Sequence, residues 1–238
     1  MHDAAMLAEL IAATQPCVVL TGAGVSTESG IPDFRSAGGI WDRFDPYEVA
    51  SIDAFHRDPE RVWEFYALRL DALDGAQPNP AHRALAALEQ AGLVQALVTQ
   101  NVDGLHQAAG SRDVVEVHGS IGGGVCLACG RREPNVRALL PLPRCASCGA
   151  VLKPGVVMFG EMLDPAAIDR AIELAQGAAL LLVVGTSLEV WPVAGIPDET
   201  LTHGGKLAIV NRDPTSYDGR AELVVHGSAG EILAACGP

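Results

Sequence analysis

Cys126-x-x-Cys129 and Cys145-x-x-Cys148 form two thiol pairs separated by 15 residues, each followed by glycine (Gly130, Gly149). Two such knuckles supply four thiolates to one tetrahedral Zn²⁺. With a full sulfur set and no nearby histidine, the predicted site is closed and structural. A second chemical feature is the loop Thr21-Gly22-Ala23-Gly24-Val25-Ser26-Thr27-Glu28-Ser29-Gly30-Ile31-Pro32-Asp33-Phe34-Arg35, which follows the apolar run Cys17–Leu20. A buried strand running into Gly-x-Gly brings backbone amides against a pyrophosphate. The usual dinucleotide fingerprint has a third glycine where this chain has Thr27. Gly22-Ala23-Gly24 alone is equally a tight turn. Its tail adds an acid (Asp33), an aromatic (Phe34) and a base (Arg35) that no turn requires.

His118 ends a short predicted strand, just before Gly119. Imidazole accepts a proton near neutral pH with little tuning, so His118 is the candidate general base. His2, His56, His82, His203 and His226 lack such a context and read as structural. His106 is intermediate, at the end of the polar stretch Gln100–His106. Several predicted strands end in polar or glycine turns: Gly22-Ala23-Gly24, Gln100-Asn101-Val102-Asp103, His118-Gly119, Gly185-Thr186-Ser187 and Asn211. Asn and Asp are ordinary turn residues. All five turns together nonetheless suggest one crevice at the carboxyl ends of a parallel sheet. Tyr66 and Arg69, three apart, share a helix face. A phenol beside a guanidinium makes a carboxylate clamp. The same pair also fits a plain amphipathic helix with one aromatic and one solvated base.

The elements that must position these residues alternate between strand and helix. An amphipathic helix capped by Asp3 is expected over residues 3–14, and strand 17–20 follows. Residues 36–57 read as a mobile loop with a short helix near 46–50. Asp58-Pro59-Glu60 starts a helix running to about Leu73, and Asn79-Pro80 starts another that stops at Gly92. Strands follow at 94–98 and 114–117. Residues 120–154 break the rhythm, which is expected to resume at 155–161. Helix 165–176, strand 180–184, helix 193–202, strand 207–210, strand 223–225 and a final helix from 229 complete the series. The predicted class is α/β: a Rossmann-like parallel sheet with helices on both faces, plus a small inserted zinc-ribbon and helical domain. The expected domains are residues 1–35, 75–118 and 155–238 for nucleotide binding. Residues 36–74 (a helical module) and 119–154 (a zinc-binding module) form the small domain.

The 238-residue chain is long enough for one sizeable core and a small module. Its formal charge of −13 argues against bulk nucleic-acid or anionic-membrane binding. No apolar stretch approaches the roughly 18 residues of a membrane span, and the N-terminus lacks a basic signal-peptide region. A cytoplasmic monomer is the expectation. Six cysteines in such a chain favour metal binding or catalysis over disulfides, with Cys17 and Cys236 as buried hydrophobes. Only two lysines occur, Lys153 and Lys206, against fourteen arginines. The bases Arg131, Arg132, Arg137, Arg144 and Lys153 make the cysteine segment locally basic, a solvated face or a patch for an acidic partner.

These motifs, with Thr99-Gln100-Asn101-x-Asp103-x-Leu105-His106, Val157-x-Phe159-Gly160-Glu161 and Gly185-Thr186-Ser187-Leu188, occur in the order and over the span of the sirtuin family, NAD-dependent protein-lysine deacylases. The resemblance implies NAD⁺ as co-substrate, bound between a Rossmann-like domain and a domain bearing one structural Zn²⁺. It implies that Gly22, Ala23, Gly24, Ser187, Asn211, Asp213 and Ala229 line the nucleotide, with Ser26, Gly185 and Thr186 in the same set. Asp33, Arg35, Trp41, Gln100, Asn101 and Asp103 would hold the ribose and nicotinamide end, and Phe34 would cover the reactive face and exclude water. In the family's reaction nicotinamide leaves and the acyl oxygen attacks the ribose C1′. His118 then acts as base on a ribose hydroxyl, with Asn101 as the second catalytic residue; the products are free lysine, nicotinamide and O-acyl-ADP-ribose. Val157, Phe159, Gly160 and Glu161 would bind the acylated-lysine protein. Phe65-Tyr66-x-x-Arg69 after Val62-Trp63-Glu64 resembles the acyl-specificity motif of the class III branch, which implies removal of succinyl, malonyl or glutaryl groups, and acetyl more weakly. Gly122-Gly123-Gly124 and Lys153-Pro154-Gly155 depart from the family pattern. An acetyl-preferring deacetylase, a mono-ADP-ribosyltransferase and a non-enzymatic zinc-ribbon adaptor are the alternatives. Asn101, Asp103 and His118 argue against the last.

Overall fold

The computed structural model describes residues 2–237. The chain divides into two compact units. One is built from the segments ending at Gly30, spanning Gln77–Val117 and starting at Asp164; the other is Ile31–Ala76 with His118–Leu163.

The larger unit holds a parallel sheet of β1 (Cys17–Thr21), β2 (Ala96–Thr99), β3 (Val114–Glu116), β7 (Leu180–Val184), β8 (Lys206–Asn211) and β9 (Leu223–His226), in the order β3-β2-β1-β7-β8-β9. β1 and β7 are buried along their whole length, as expected of strands covered on both faces. Side chains alternate between the faces. Cys17, Val19, Leu97, Leu182 and Val210 join one core with Leu7 and Ile11 of α1 (His2–Ala13), Leu85 of α5 (Pro80–Gln90) and Leu233 of α9 (Ala229–Ala235). α7 (Pro165–Gly177) and α8 (Ile196–Thr202) pack together, α7 also on β3 and α8 on β7 and β8. The chain reverses direction across the sheet between β1 and β7, so the loops leaving their carboxyl ends diverge there. Asn79 caps α5 through a reciprocal box with His82, and its Nδ2 donates to Val25 O at 2.7 Å. α1 begins one residue earlier than expected, and Asp3 lies in its first turn rather than capping it. At the start of β8, half-exposed Lys206 pairs with Glu222 at 3.4 Å. Among the described residues no helix is long and apolar enough to cross a membrane.

The smaller unit holds α2 (Pro46–Val49), α3 (Ile52–Arg57), α4 (Pro59–Leu73) and an antiparallel sheet of β4 (Gly119–Val125), β5 (Arg132–Glu133) and β6 (Lys153–Val156). Two sequence expectations change here. Residues 36–57, read as a mobile loop with one short helix, contain a 3-10 turn (Ile40–Asp42) and two helices, capped by Asp45 on Tyr47 N and by Ser51 on Ala54 N. Residues 155–161 do not resume the parallel sheet: β6 pairs antiparallel with β4, and Val157 N donates to His118 O at 2.9 Å. That pairing groups residues 155–163 with the cysteine segment, and residues 31–35 fall in the same unit.

β4 pairs with β6 through a register shift between Gly119 and Gly124. A Cβ on Gly122 would meet nothing closer than Ser120 Oγ at 4.0 Å, whereas one on Gly124 would strike Val136 Cγ1 at 2.7 Å. Gly122→Ala is therefore expected to raise stability by about 0.5 kcal/mol through lost unfolded-chain entropy. Gly124→Ala should lower it by about 1–3 kcal/mol through overpacking. Thermal midpoints of the two variants, measured side by side, check the opposite signs.

Candidate active site

In the larger unit the loops after β1 and β7 lie backbone against backbone. Gly22 N donates to Val184 O at 3.2 Å and Gly24 N to Gly185 O at 2.8 Å. A Cβ on Gly24 would sit 2.8 Å from Gly185 O, and Gly185 itself has φ +60°, a conformation that favours glycine. The polar ends of β1, β2 and β7 meet in this place. Gln100 Nε2 donates to Thr186 Oγ1 at 2.9 Å, and Asn101 Nδ2 donates to Ser26 Oγ at 3.1 Å. At the end of β8, Asn211 Nδ2 donates to Asp213 O at 2.8 Å. Ala229 opens α9, where Glu28 accepts from Ser228 Oγ and Gly230 N, both at 2.9 Å. Ser187 Oγ lies exposed, 3.3 Å from Glu189. Ser29 Oγ is buried with no hydrogen-bond partner among the described residues.

Beneath these loops is a buried network that motif reading missed. Thr21 Oγ1 donates to Thr99 Oγ1 at 2.8 Å, so the His106 Nε2–H donates to Thr21 at 2.9 Å. His106 Nδ1 is then an acceptor with no hydrogen-bond partner among the described residues. Asn79 N donates to His82 Nδ1, which leaves the His82 Nε2–H facing Ser26 Oγ at 3.4 Å. Ser26 in turn donates to Asp103 Oδ2 at 2.8 Å. The two imidazole rings lie 4.8 Å apart. Burial lowers the pKa of both; for His106 it brings the value to about 3, with His82 nearby adding to the effect. His82 had read as structural and His106 as intermediate. The local signal for His82 was its place at the third position of a helix capped by Asn79.

In the smaller unit, Asp33 Oδ1 accepts from Arg35 N and Ser36 N, and Trp41 N returns to Phe34 O. Trp41 packs on Phe34 (centroids 5.1 Å), Phe65 (6.2 Å) and Phe159 (6.2 Å). Tyr66 and Arg69 lie on α4 as the spacing implied, and the Arg69 guanidinium sits 4.8 Å above the Phe34 ring. Burial pushes the Tyr66 phenol up; Arg69 counteracts this and Glu161 adds to it. The phenol stays a neutral donor. His118 is half-buried in the turn before β4. Phe159 is held by Phe159 N to Ala50 O (2.9 Å) and Ile52 N to Phe159 O (3.0 Å), with Gly160 at φ +88° beside it. Val157 is fixed by its bond to His118 O. Glu161, expected among the substrate residues, has one carboxylate oxygen on Lys153 Nζ (3.0 Å) and on Met158 N (2.8 Å). Lys153 is only 5% exposed, and its ammonium also donates to Pro154 O and Val156 O.

The four paired cysteines converge. Their sulfurs lie within 4.8 Å of one another, with Cys126–Cys148, Cys129–Cys145 and Cys129–Cys148 at 3.4, 3.6 and 3.7 Å. A tetrahedral zinc with Zn–S of about 2.3 Å has S···S edges of about 3.8 Å. The donor set fits Zn²⁺ with no coordination position left for chemistry.

Two measurements follow. The unfolded His106 imidazole protonates near 6.5 and the folded one near 3, so between these values the unfolded chain binds more protons. Stability is intact above pH 6.5 and falls as pH drops toward 3, by up to about 1.4 kcal/mol per pH unit for this one group. His106→Asn should flatten that acid limb in denaturant melts at pH 4.5–7.5. Cys145→Ser should lose the metal and cooperative unfolding of the smaller unit together, read by native mass spectrometry and calorimetry.

Residues 22–192 match the model of the Sir2 family. The chain is 49% identical to an NAD-dependent protein deacetylase 1 of Geobacillus kaustophilus, covering 94% of this chain and 93% of that one. It is 44% identical to an NAD-dependent protein deacylase 1 of Archaeoglobus fulgidus, covering 95% and 94%. Among solved structures, a Sir2 homologue–NAD complex superposes with a TM-score of 0.91 at 44% identity, covering 97% of this chain and 91% of that one. A Sir2 variant with a deacetylated p53 peptide and 3′-O-acetyl ADP-ribose superposes with a TM-score of 0.88 at 38% identity, covering 97% and 95%. With this match over most of its length, the chain belongs to the Sir2 family of NAD-dependent protein deacylases.

Proposed function

We propose that this deacylase removes acidic acyl groups, succinyl or malonyl, from protein lysines in preference to acetyl. One observation carries the preference: on α4 the phenol of Tyr66, kept neutral by burial, stands beside Arg69, whose guanidinium lies over Phe34. A neutral phenol donates one hydrogen bond and a guanidinium two, which together complement a terminal carboxylate. Acetyl offers no carboxylate to either.

In this reading NAD⁺ is consumed, its ribose C1′ being the carbon that the acyl oxygen attacks as nicotinamide departs. The loop Gly22-Ala23-Gly24 faces the pyrophosphate, its Gly22 and Gly24 amides being spent on Val184 O and Gly185 O, and Ser187, Asn211, Asp213 and Ala229 serve the adenosine end. Asn101, braced by Ser26, and Asp103, held by Ser26 and Leu105 N, orient the nicotinamide ribose with Gln100 and Arg35. Phe34 and Trp41 exclude water from the reacting carbon. His118 takes the proton from a ribose hydroxyl, a role suited to an imidazole near neutral pH. Val157, Phe159 and Gly160 line the path of an extended substrate peptide, and Glu161 braces that segment through Lys153. The four cysteines hold a Zn²⁺ that supplies structure only. The protein acts as a cytoplasmic monomer on acylated proteins.

An acetyl-preferring enzyme is the second reading, favoured by relatives named deacetylases. Paired kcat/KM values on one peptide carrying acetyl- or succinyl-lysine decide between the two. Arg69→Met should lower kcat/KM for succinyl-lysine by about 10²-fold, the worth of a charged hydrogen-bond pair, while acetyl-lysine changes by less than about threefold; an equal loss returns Arg69 to a purely structural role. His118→Tyr should lower kcat by at least about 10²-fold, as expected for loss of a general base, with the metal retained.

A further inference from the structure

The helix α4, which carries the residues that would read the acyl group, is tied to the cysteine segment at two points. Trp63 is fully buried, and its indole Nε1–H donates to Leu152 O at 2.7 Å. Leu152, also fully buried, lies four residues beyond Cys148. Its own N–H donates to Pro143 O at 2.9 Å, on the far side of the knuckle. That knuckle is closed by Cys145 N to Ala150 O (2.8 Å) and Gly149 N to Cys145 O (2.9 Å), and by the bridge of Arg144 to Val151. On its other side the Trp63 ring meets Tyr66 edge-on, centroids 6.4 Å apart, and Arg69 is one further step of three along the helix. The second tie is at the helix end. Arg137 binds Asp71 at 2.7 Å and Asp74, and the preceding residue, Val136, donates its N–H to Gly122 O at 2.9 Å.

We propose that Trp63 is a positioning residue for acyl selectivity: its hydrogen bond to Leu152 O sets where Tyr66 and Arg69 stand by referring α4 to the second cysteine knuckle, with Arg137 as the outer clamp. The inference rests on the reading of Tyr66 and Arg69 as a carboxylate clamp. Apolar packing alone lets a helix slide or rotate by fractions of an ångström, because dispersion contacts are individually weak and undirected. A buried N–H···O=C bond of 2.7 Å is directional and fixes both the axial position and the rotation of the helix. Two hydrogen bonds to a carboxylate are equally directional, so a small displacement at Trp63 is felt by an acidic acyl group and ignored by a methyl.

Trp63→Phe keeps an aromatic ring against Tyr66 and removes the donor together with part of the indole volume, so Arg137→Met, which leaves that packing intact, is the companion variant. Wild type, Trp63→Phe and Arg137→Met would be compared on succinyl- and acetyl-lysine forms of one peptide. Metal content would be read by native mass spectrometry, and binding of the succinyl peptide without NAD⁺ by calorimetry. The expected result is a roughly tenfold fall in the succinyl-to-acetyl ratio of kcat/KM for Trp63→Phe, a fraction of the about 10²-fold that a 1 Å misplacement can cost. Succinyl-peptide binding weakens in parallel, while KM for NAD⁺ and bound metal stay unchanged. Arg137→Met should shift the ratio the same way by less. A wild-type enzyme with no succinyl preference overturns the clamp, and this inference with it. A preference that survives in the variants, whether activity is kept or falls equally on both peptides, overturns the role of Trp63 alone. If Trp63→Phe does not fold, the partly exposed Arg137 variant decides by the same ratio.

Discussion

Where the loops leaving β1 and β7 cross, there is no room for a side chain. Gly24 N reaches Gly185 O at 2.8 Å, and a Cβ on either residue would overlap the other's backbone. This approach is possible only because the two strands send their connections to opposite sides of the sheet, so that the backbones meet edge to edge at the reversal. From it follow the placement of Thr186 under Gln100 and the 3-10 turn Ala23–Ser29.

The loops are steadied from below by neutral, hydrogen-bonded groups rather than by charges. Thr21, Thr99, Ser26, His82 and His106 are all buried, and the imidazoles are kept uncharged by that burial. A charged histidine here would add a cation to the site and would require a counter-charge. Neutral rings transmit geometry without adding a charge beneath the loops. Asp103 is the one anion in the network, and it is fastened by the Ser26 hydroxyl and Leu105 N.

Much of this was legible in the sequence, because several residues have only one physical use. Two Cys-x-x-Cys pairs have to converge, proline after a capping residue starts a helix, and apolar runs of five residues ending in glycine are buried parallel strands. What could not be read depends on contacts between segments distant in sequence. β4 carries three successive glycines and has almost no strand propensity of its own; it is a strand because β5 and β6 pair with it. β6 looked like the next parallel strand because an apolar run does not reveal its partner. Helix α3 is six residues long and rests on the Ser51 cap and on packing of Phe55. The pairing of His82 with His106 joins residues 24 positions apart that no spacing rule connects.

The burial of Lys153 has a consequence for the enzyme as a potential target of its own chemistry. The three protons of its ammonium are engaged by two carbonyls and Glu161, so no reactive acyl donor in solution can approach that nitrogen. Lys206 is the only other lysine in the chain and stands at the edge of β8 beside Glu222. Positive charge is otherwise carried by arginine, whose guanidinium does not acylate under the conditions that modify amines. A protein that strips acyl groups from lysine thus exposes almost no lysine side chain to spontaneous acylation, and its surface charge holds steady while the proteins around it are being modified.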